Sequence, residues 1–359
     1  MIRRPAGEWS DARSRMVWRA AAKCARLRLP VTATISELPG MDARKARFFC
    51  EYVFFCAVVF ALRCLPVRSV RRIADAHAWF LHRVVPQRLT RYSVAAENIR
   101  HAFGHDVSDA EVDRITYGMW RHLFRMVCEI IQLERRFRLY NCTDVLRYHQ
   151  RNECIQAVAS GRPVLFLGGH FGNWEISVNT FGHFDFPMGV VARDLDNPWL
   201  HSWFKRFRES TGNWTISKSG ASTQLVEELS AGHSVSLLCD QDAGRRGVFV
   251  DFFGKPASTF KSIALLALQY DAMIVVGGAW RLPDHEQYDS RWTQFELTTE
   301  DVIDSRDFTT ADAVVQITQK FTTALESLIR RAPDQYFWVH RRWKSAPRVK
   351  RSKPDRQAA

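Results

Sequence analysis

The segment Gly168-Gly169-His170-Phe171-Gly172-Asn173-Trp174-Glu175 sets an imidazole and a carboxylate five positions apart. A neutral imidazole is the usual base near pH 7, and a carboxylate beside it can fix its tautomer and stabilise the imidazolium. Such a pair can take the proton from a hydroxyl that attacks a thioester carbonyl. Spacing alone carries little. With 12 histidines and 38 acidic residues in 359, about 1.3 such pairs arise by chance, and the chain has two, His170/Glu175 and His101/Asp106. Context separates them. His101/Asp106 lies in NIRHAFGHDVSD, beside a helix start at Ser108 with no apolar strand before it, and reads as a surface turn. His170 follows the run PVLFLG through two glycines, at the carboxyl end of a strand, where α/β sheets build ligand sites. Five positions on one helix rotate by ~140°, so the side chains converge only if His170 sits in the loop and Glu175 in the first helical turn. Gly172 permits the turn and Asn173 is a good N-cap. The same residues would also suit a structural histidine, with Glu175 favoured by the helix dipole.

A second segment, Asp240-Gln241-Asp242-Ala243-Gly244-Arg245-Arg246-Gly247, continues into VFVDFFGKPAST and also follows an apolar run, so it is expected at the same face of the sheet. Arg245, Arg246 and Lys255 could grip phosphate or a carrier's acidic groups, or be solvated charges of an ordinary loop. Pro256 after Gly254-Lys255 excludes a P-loop. A third segment, Trp199–Gly212, mixes Lys205, Arg206 and Arg208 with Trp199, Trp203, Phe204 and Phe207. It suits a lipid headgroup boundary, or an amphipathic surface helix of a soluble protein. There is no G-x-S-x-G elbow, no H-E-x-x-H and no paired-cysteine spacing, so no catalytic metal is expected. His183, His233 and His340 receive no role.

Strands and helices must position these groups. PVLFLG (163–168), MGVVAR (188–193), SVSLLCD (234–240) and MIVVGGAW (273–280) read as strands, with a late one at Arg291–Thr298. Helical stretches at Pro198–Ser210, Ser222–Ser230 and Thr259–Tyr270 alternate with them, and Ala311–Arg331 closes the chain. That alternation predicts an α/β fold with a mostly parallel central sheet flanked by helices. Val70–Glu134 reads as helical, with apolar residues of Tyr117–Leu133 recurring at three and four. Before it, FFCEYVFFCAVVFAL (48–62) is about 15 residues and contains Glu51, shorter than the ~20 residues of a full span. It fits a tilted anchor, a helix half-sunk in one leaflet, or a buried core helix. Arg44, Lys45 and Arg47 before it and Arg63, Arg68, Arg71 and Arg72 after it suit anionic headgroups.

The expected organisation is a basic, disordered extension at 1–44, a membrane-anchoring helix at 45–68, a catalytic domain at 69–345 and a basic tail at 346–359. From Arg341 onward, eight basic residues and one acid read as a solvated end. The net charge of +13 points to nucleic acid, an anionic membrane or a phosphorylated substrate, and no nucleic-acid motif supports the first. The 12 tryptophans and 24 phenylalanines suit either a lipid boundary or an aromatic core. Eight cysteines without a C-x-x-C pair fit a reducing cytosol better than a disulfide framework.

Four blocks, GGHFGNWE, VARDLDNP, DQDAGRRGVFVDFFGKPAST and PDQYFWVHRRWK, occur in this order, and in them the chain resembles the bacterial lipid A late acyltransferases. These lauroyl or myristoyl acyltransferases lie within the glycerolipid acyltransferase superfamily with its H-x-x-x-x-[DE] motif, and the likeness runs from about Glu51 to Lys344. The resemblance implies a glycerol-3-phosphate acyltransferase-like fold and an inner-membrane enzyme with its active site on the cytoplasmic side. It also implies an N-terminal membrane helix, acyl carrier protein as donor, a Kdo-lipid IVA type acceptor and no cofactor. By position, His170 is the base and Glu175 its partner, while Arg208 and the Asp240-Gln241 block lie near substrate. The substrate-binding set is then Arg208, Asn173, Asp240, Gln241, Arg245, Arg246 and Lys255. Asp251, where proline is expected, and the basic extension depart from the pattern and leave the acceptor open. Relatives in the superfamily acylate lysophospholipids or mannosylated phosphatidylinositols, with acyl-CoA as another donor. A peripheral membrane-binding protein without catalysis is the remaining alternative.

Overall fold

The structure, a computed structural model, describes residues 42–104, 106–287 and 292–347. The expected extension before residue 42 and the tail from residue 348 lie outside the described residues. Helices α1 (Ala43–Cys64), α2 (Val67–Arg83), α3 (Tyr92–Phe103) and α4 (Asp109–Arg136) come first. They are followed by β1 (Leu146–His149), α5 (Arg151–Ala159), β2 (Val164–Gly168), α6 (Trp174–His183), β3 (Gly189–Ala192), α7 (Pro198–Glu209), β4 (Trp214–Ser217), α8 (Ala221–Ser230) and β5 (Val235–Leu238). The hairpin β6 (Val248–Phe252) and β7 (Lys255–Thr259), α9 (Lys261–Gln269), β8 (Met273–Arg281), β9 (Phe295–Asp304) and α10 (Ala313–Arg331) complete the order.

Seven strands form one sheet in the order β1-β9-β8-β2-β5-β3-β4. All its neighbours are parallel except β8 and β9, which pair antiparallel. The expected sheet is therefore present, with both faces covered. Along β2 the side chains alternate between them. Leu165 and Leu167 join a core with Ile317, Phe321, Leu325 and Leu328 of α10, while Val164 and Phe166 join Cys154 and Ala157 of α5 and Met188. Burial on both faces explains why β2 reads as an unbroken apolar run rather than an alternating one. The strands β1 and β4 and the β6–β7 hairpin were not expected. The first two are four-residue edge strands with mixed composition, LRYH and WTIS, too short for a period to show.

The N-terminal expectation needs correction. α1 is 22 residues long, but among the described residues no helix is long and apolar enough to cross a membrane. Part of its apolar side is used within the protein. Phe48, Tyr52 and Val59 are buried, Phe49 and Phe55 meet Trp199 and Trp203 of α7 edge-on, and Asn197 donates to the Phe48 carbonyl at 2.8 Å. The Trp199–Gly212 segment is accordingly helical as far as Glu209, with Trp199, Trp203 and Phe204 against α1 and Phe207 in the core.

The solvated-end reading also fails for the first residues after Arg341. Arg342 is buried, donates to the Ser258 carbonyl and to Thr259 Oγ1, and lies over the Phe252 ring. Trp343 stacks on the same ring, so this segment clamps the hairpin.

Candidate active site

The strand register brings the first two segments together. β2 and β5 are parallel neighbours with Gly168 opposite Leu238, and the Cys239 N–H donates to the Gly168 carbonyl at 2.9 Å. His170 and Asp240 each stand two residues beyond that pair, leaving the sheet in the same direction. They meet twice: the His170 backbone N–H donates to Asp240 Oδ2 at 2.8 Å, and Nδ1 lies 2.8 Å from Oδ1. The intervening Gly169 makes room, since a Cβ there would lie 2.8 Å from Leu325 Cδ1 and 3.3 Å from Asp240 Oδ2.

Burial alone would raise the Asp240 pKa, but the His170 ring, its hydrogen bonds and the nearby His340 outweigh it and hold the carboxyl below its ordinary value. An ionised carboxylate only accepts, so the proton between them sits on His170 Nδ1, and in the neutral ring the lone pair is then on Nε2. Trp174 packs against the ring at 5.3 Å between centroids and His340 at 4.6 Å. Burial, then the neighbouring His170 ring, pushes the His340 pKa down, so this second ring is neutral near pH 7. Tyr336 is buried near the same carboxylate, and burial, then Asp240, raises its pKa well above the ordinary range.

Glu175 takes a different partner from the one expected. Asn173 accepts from the Ile176 N–H and starts α6, which puts Glu175 in the first turn. There its carboxylate is buried and held by Arg208, with Nε 3.1 Å from both oxygens and Nη2 2.6 Å from Oε1. The acid bonded to His170 is therefore Asp240 and not Glu175. The physical reason is that strand pairing fixes Asp240 beside His170, whereas the Glu175 carboxylate, in the first turn of α6, is taken up by Arg208.

The other expected residues divide. Asn173 is fully buried, with its amide donating to Glu129 Oε2 at 3.0 Å, so it holds the loop and is not open to substrate. Gln241 lines the cavity described next and accepts from Lys218 Nζ at 3.2 Å. Arg245 and Arg246 are exposed in a short turn, Lys255 opens β7, and none of the three lines the cavity.

That cavity has a volume of about 700 Å³. Phe166, Val190 and Val275 form its wall on the sheet, with Ile155 and Val158 of α5 and Phe181 of α6 facing them. At the carboxyl ends of the strands its lining turns polar, with His170, Arg193, Lys218 and Gln241 just beyond β2, β3, β4 and β5 and the Glu175–Arg208 pair alongside. Arg193 and Lys218 were not singled out from sequence. Arg193 is the last residue of the expected strand at 188–193, and because the observed strand stops at Ala192 it stands just beyond the strand end, as His170 does. Lys218 follows β4, which the sequence hid.

An imidazole with a fixed tautomer thus stands at the polar end of a largely apolar cavity, with cations beside it. The comparisons agree with that chemistry. Residues 42–345 match the family described as bacterial lipid A biosynthesis acyltransferase. A phosphatidylinositol mannoside acyltransferase of Mycobacterium tuberculosis is 28% identical over 296 residues, 79% of this chain and 85% of that protein. The lipid A biosynthesis lauroyltransferase of Escherichia coli K12 is 29% identical over 191 residues, 53% of this chain and 58% of that protein. A lipid A biosynthesis acyltransferase of Haemophilus influenzae is 24% identical over 295 residues, 80% of this chain and 88% of that protein.

Proposed function

Because the chain belongs to the bacterial lipid A biosynthesis acyltransferase family and is an acyltransferase, we propose that it moves a fatty acyl chain from acyl carrier protein to a hydroxyl of a lipid A precursor of the Kdo-lipid IVA type. The observation that carries this reading is the apolar cavity of about 700 Å³ that meets the His170–Asp240 pair at one end. An acyl chain seated along Phe166 and Phe181 would bring its thioester carbonyl to His170. The acceptor hydroxyl gives its proton to His170 Nε2 as its oxygen forms the new bond to the carbonyl carbon. Asp240 stabilises the imidazolium through Nδ1–H. Collapse of the tetrahedral intermediate breaks the carbon–sulfur bond, and the imidazolium returns the proton to the departing thiolate. Arg208, aimed by Glu175, and the cations Arg193 and Lys218 supply positive charge where the oxyanion and the substrate's phosphates lie.

Attachment to the cytoplasmic face of the inner membrane belongs to the same reading. Phe54 and Phe60 on α1 and Trp79 and Phe80 on α2 are exposed, and Arg44, Lys45, Arg47, Arg68, Arg72 and Arg83 flank them. Such a surface suits helices lying in a headgroup layer of anionic lipid. The domain boundaries at 45–68 and 69–345 are kept in this proposal, with the first segment docking on the bilayer.

The test is transfer of radiolabelled acyl chains from acyl carrier protein to purified lipid A precursor by the wild type and by His170→Ala. Transfer by the wild type and its loss in the variant, with membrane association retained, support the reading. A variant with the wild-type rate removes His170 from the mechanism. A second acceptor class is favoured by the mycobacterial relative, which matches more of this chain than the lauroyltransferase does. Transfer to a mannosylated phosphatidylinositol and not to the lipid A precursor, from acyl carrier protein or acyl-CoA, would select it.

A further inference from the structure

Beneath the His170 loop lies a closed set of buried polar groups drawn from three distant parts of the chain. His122 and Glu129 stand on α4 two turns apart and so share a face, Arg281 ends β8, and Gln335 follows α10. All four are less than 9% exposed. Arg281 grips Glu129 through Nε at 2.6 Å and Nη2 at 2.8 Å, and its Nη1 donates to His122 Nδ1 at 3.0 Å. His122 Nε2 donates to the Gly172 carbonyl at 3.0 Å, and Glu129 Oε2 also accepts from Asn173 Nδ2. Gln335 exchanges two side-chain hydrogen bonds with the Arg281 backbone, and its own carbonyl accepts from the Gly172 N–H at 3.0 Å.

The donors and acceptors in this set are mutually consistent. Arginine only donates, so His122 Nδ1 accepts; a carbonyl only accepts, so Nε2 must carry the single proton. Burial, then the Arg281 charge, presses the His122 pKa well down, in keeping with a neutral ring. The loop being held is sterically constrained at Gly172. Gly172 has φ +58°, and a Cβ there would lie 2.2 Å from the Ala279 carbonyl oxygen. Its N–H, its C=O, the Asn173 N–H and the Asn173 side chain all end on this network or on β8.

We propose that His122, Glu129 and Arg281 are positioning residues for acyl transfer, acting through Gly172 and Asn173 to hold His170 in its bond to Asp240. None of the three lines the cavity, so they act on the base and not on the acyl chain. This inference rests on His170 being the base, which the comparison of wild type with His170→Ala decides separately.

The experiment uses the full chain and lauroyl-loaded acyl carrier protein as donor. Removing one member of a buried ion pair leaves an uncompensated charge, whereas replacing both with apolar residues of similar size often preserves folding. The variants are therefore the double Glu129→Leu/Arg281→Met and, independently, His122→Phe, each checked for folding by circular dichroism. A displaced base should lower kcat by about tenfold or more while the donor KM stays within about twofold. Placed in the His170→Ala background, the same substitutions should cause no further loss of the residual rate, because a group that acts through His170 has nothing left to position. A folded variant with wild-type kcat overturns the proposal, and so does an equal fold-loss in both backgrounds, which would mark a general structural lesion. If the double variant fails to fold, His122→Phe decides by the same two measurements.

Discussion

Two apolar runs, PVLFLG and FFCEYVFFCAVVFAL, meet different fates. The first becomes β2, buried on both faces and paired on both edges, and its register with β5 decides that His170 meets Asp240. The second becomes α1, whose side chains divide between the protein and the exterior: Phe48, Tyr52 and Val59 are buried, while Phe54 is 72% and Phe60 68% exposed. A strand's neighbours are dictated by backbone pairing. A helix satisfies its own backbone, so its side chains take whatever lies beside them. Geometry at the carboxyl ends of the strands is therefore narrowly set, and small changes there should have large effects, whereas the exposed face of α1 should tolerate substitution with little effect on the fold.

The largest effect is expected at Asp240. Asp240→Asn keeps the shape but removes the charge and permits the wrong His170 tautomer, and by the logic of the serine-hydrolase triad kcat should fall by about 10³-fold or more. Glu175→Gln should lower kcat less, by roughly tenfold, because Glu175 acts on Arg208 and not on the base. Steady-state rates of the two variants side by side test this. If Glu175→Gln proves the more damaging, the assignment of partners reverses.

Next comes the loop between them. Gly172→Ala forces a Cβ to 2.2 Å from a backbone oxygen at positive φ. It should destabilise the protein by about 2–4 kcal/mol, visible as a lower Tm and an earlier denaturation midpoint. An unchanged Tm would mean that the loop can move aside, and with it the base.

These contrasts also explain what was legible from the residues. The sheet's inner strands and the loops after them could be read because burial on both faces leaves a continuous apolar signature. The His170–Asp240 contact was half legible, since both segments were expected at one face, but the pairing of β2 with β5 is not written in either strand. Glu175 was favoured by its nearness in sequence, and three-dimensional neighbours do not follow that rule. Glu129 and Arg281, 152 positions apart, gave no local signature at all. The α1 run was ambiguous by nature, because lipid and protein interiors select the same side chains.

Acid should weaken the region at the carboxyl ends of the strands in a defined window. The folded pKa of His122 lies below its ordinary 6.5, as does that of His340. Below about pH 6.5 the unfolded chain takes up protons that the folded chain refuses, so stability falls as pH drops through that value. Asp240 acts later: its carboxyl is held below 3.8, so its contribution is lost as pH falls from about 3.8 through its lowered folded pKa. His122→Gln keeps an amide donor for Gly172 without a titrating ring. Urea denaturation at pH 7 and about pH 5.5 should show a shallower decline in that variant than in the wild type. Parallel declines would move the acid sensitivity elsewhere.

The smallest effect on folding, and the sharpest contrast, is expected on α1. Phe54 and Phe60 are exposed, so Phe54→Ser/Phe60→Ser removes little packing, and Tm should stay within about 2 °C of the wild type. If these rings dock on a bilayer, each loses apolar burial worth roughly 1–2 kcal/mol, and vesicle partitioning should fall by about tenfold or more. Sedimentation with vesicles containing anionic lipid measures this directly. Raising the salt should weaken wild-type binding further, through Arg44, Lys45, Arg47 and their neighbours. A double variant that sediments like the wild type would mean that the exposed face of α1 does not touch lipid. The difference between the two apolar runs would then be one of packing alone.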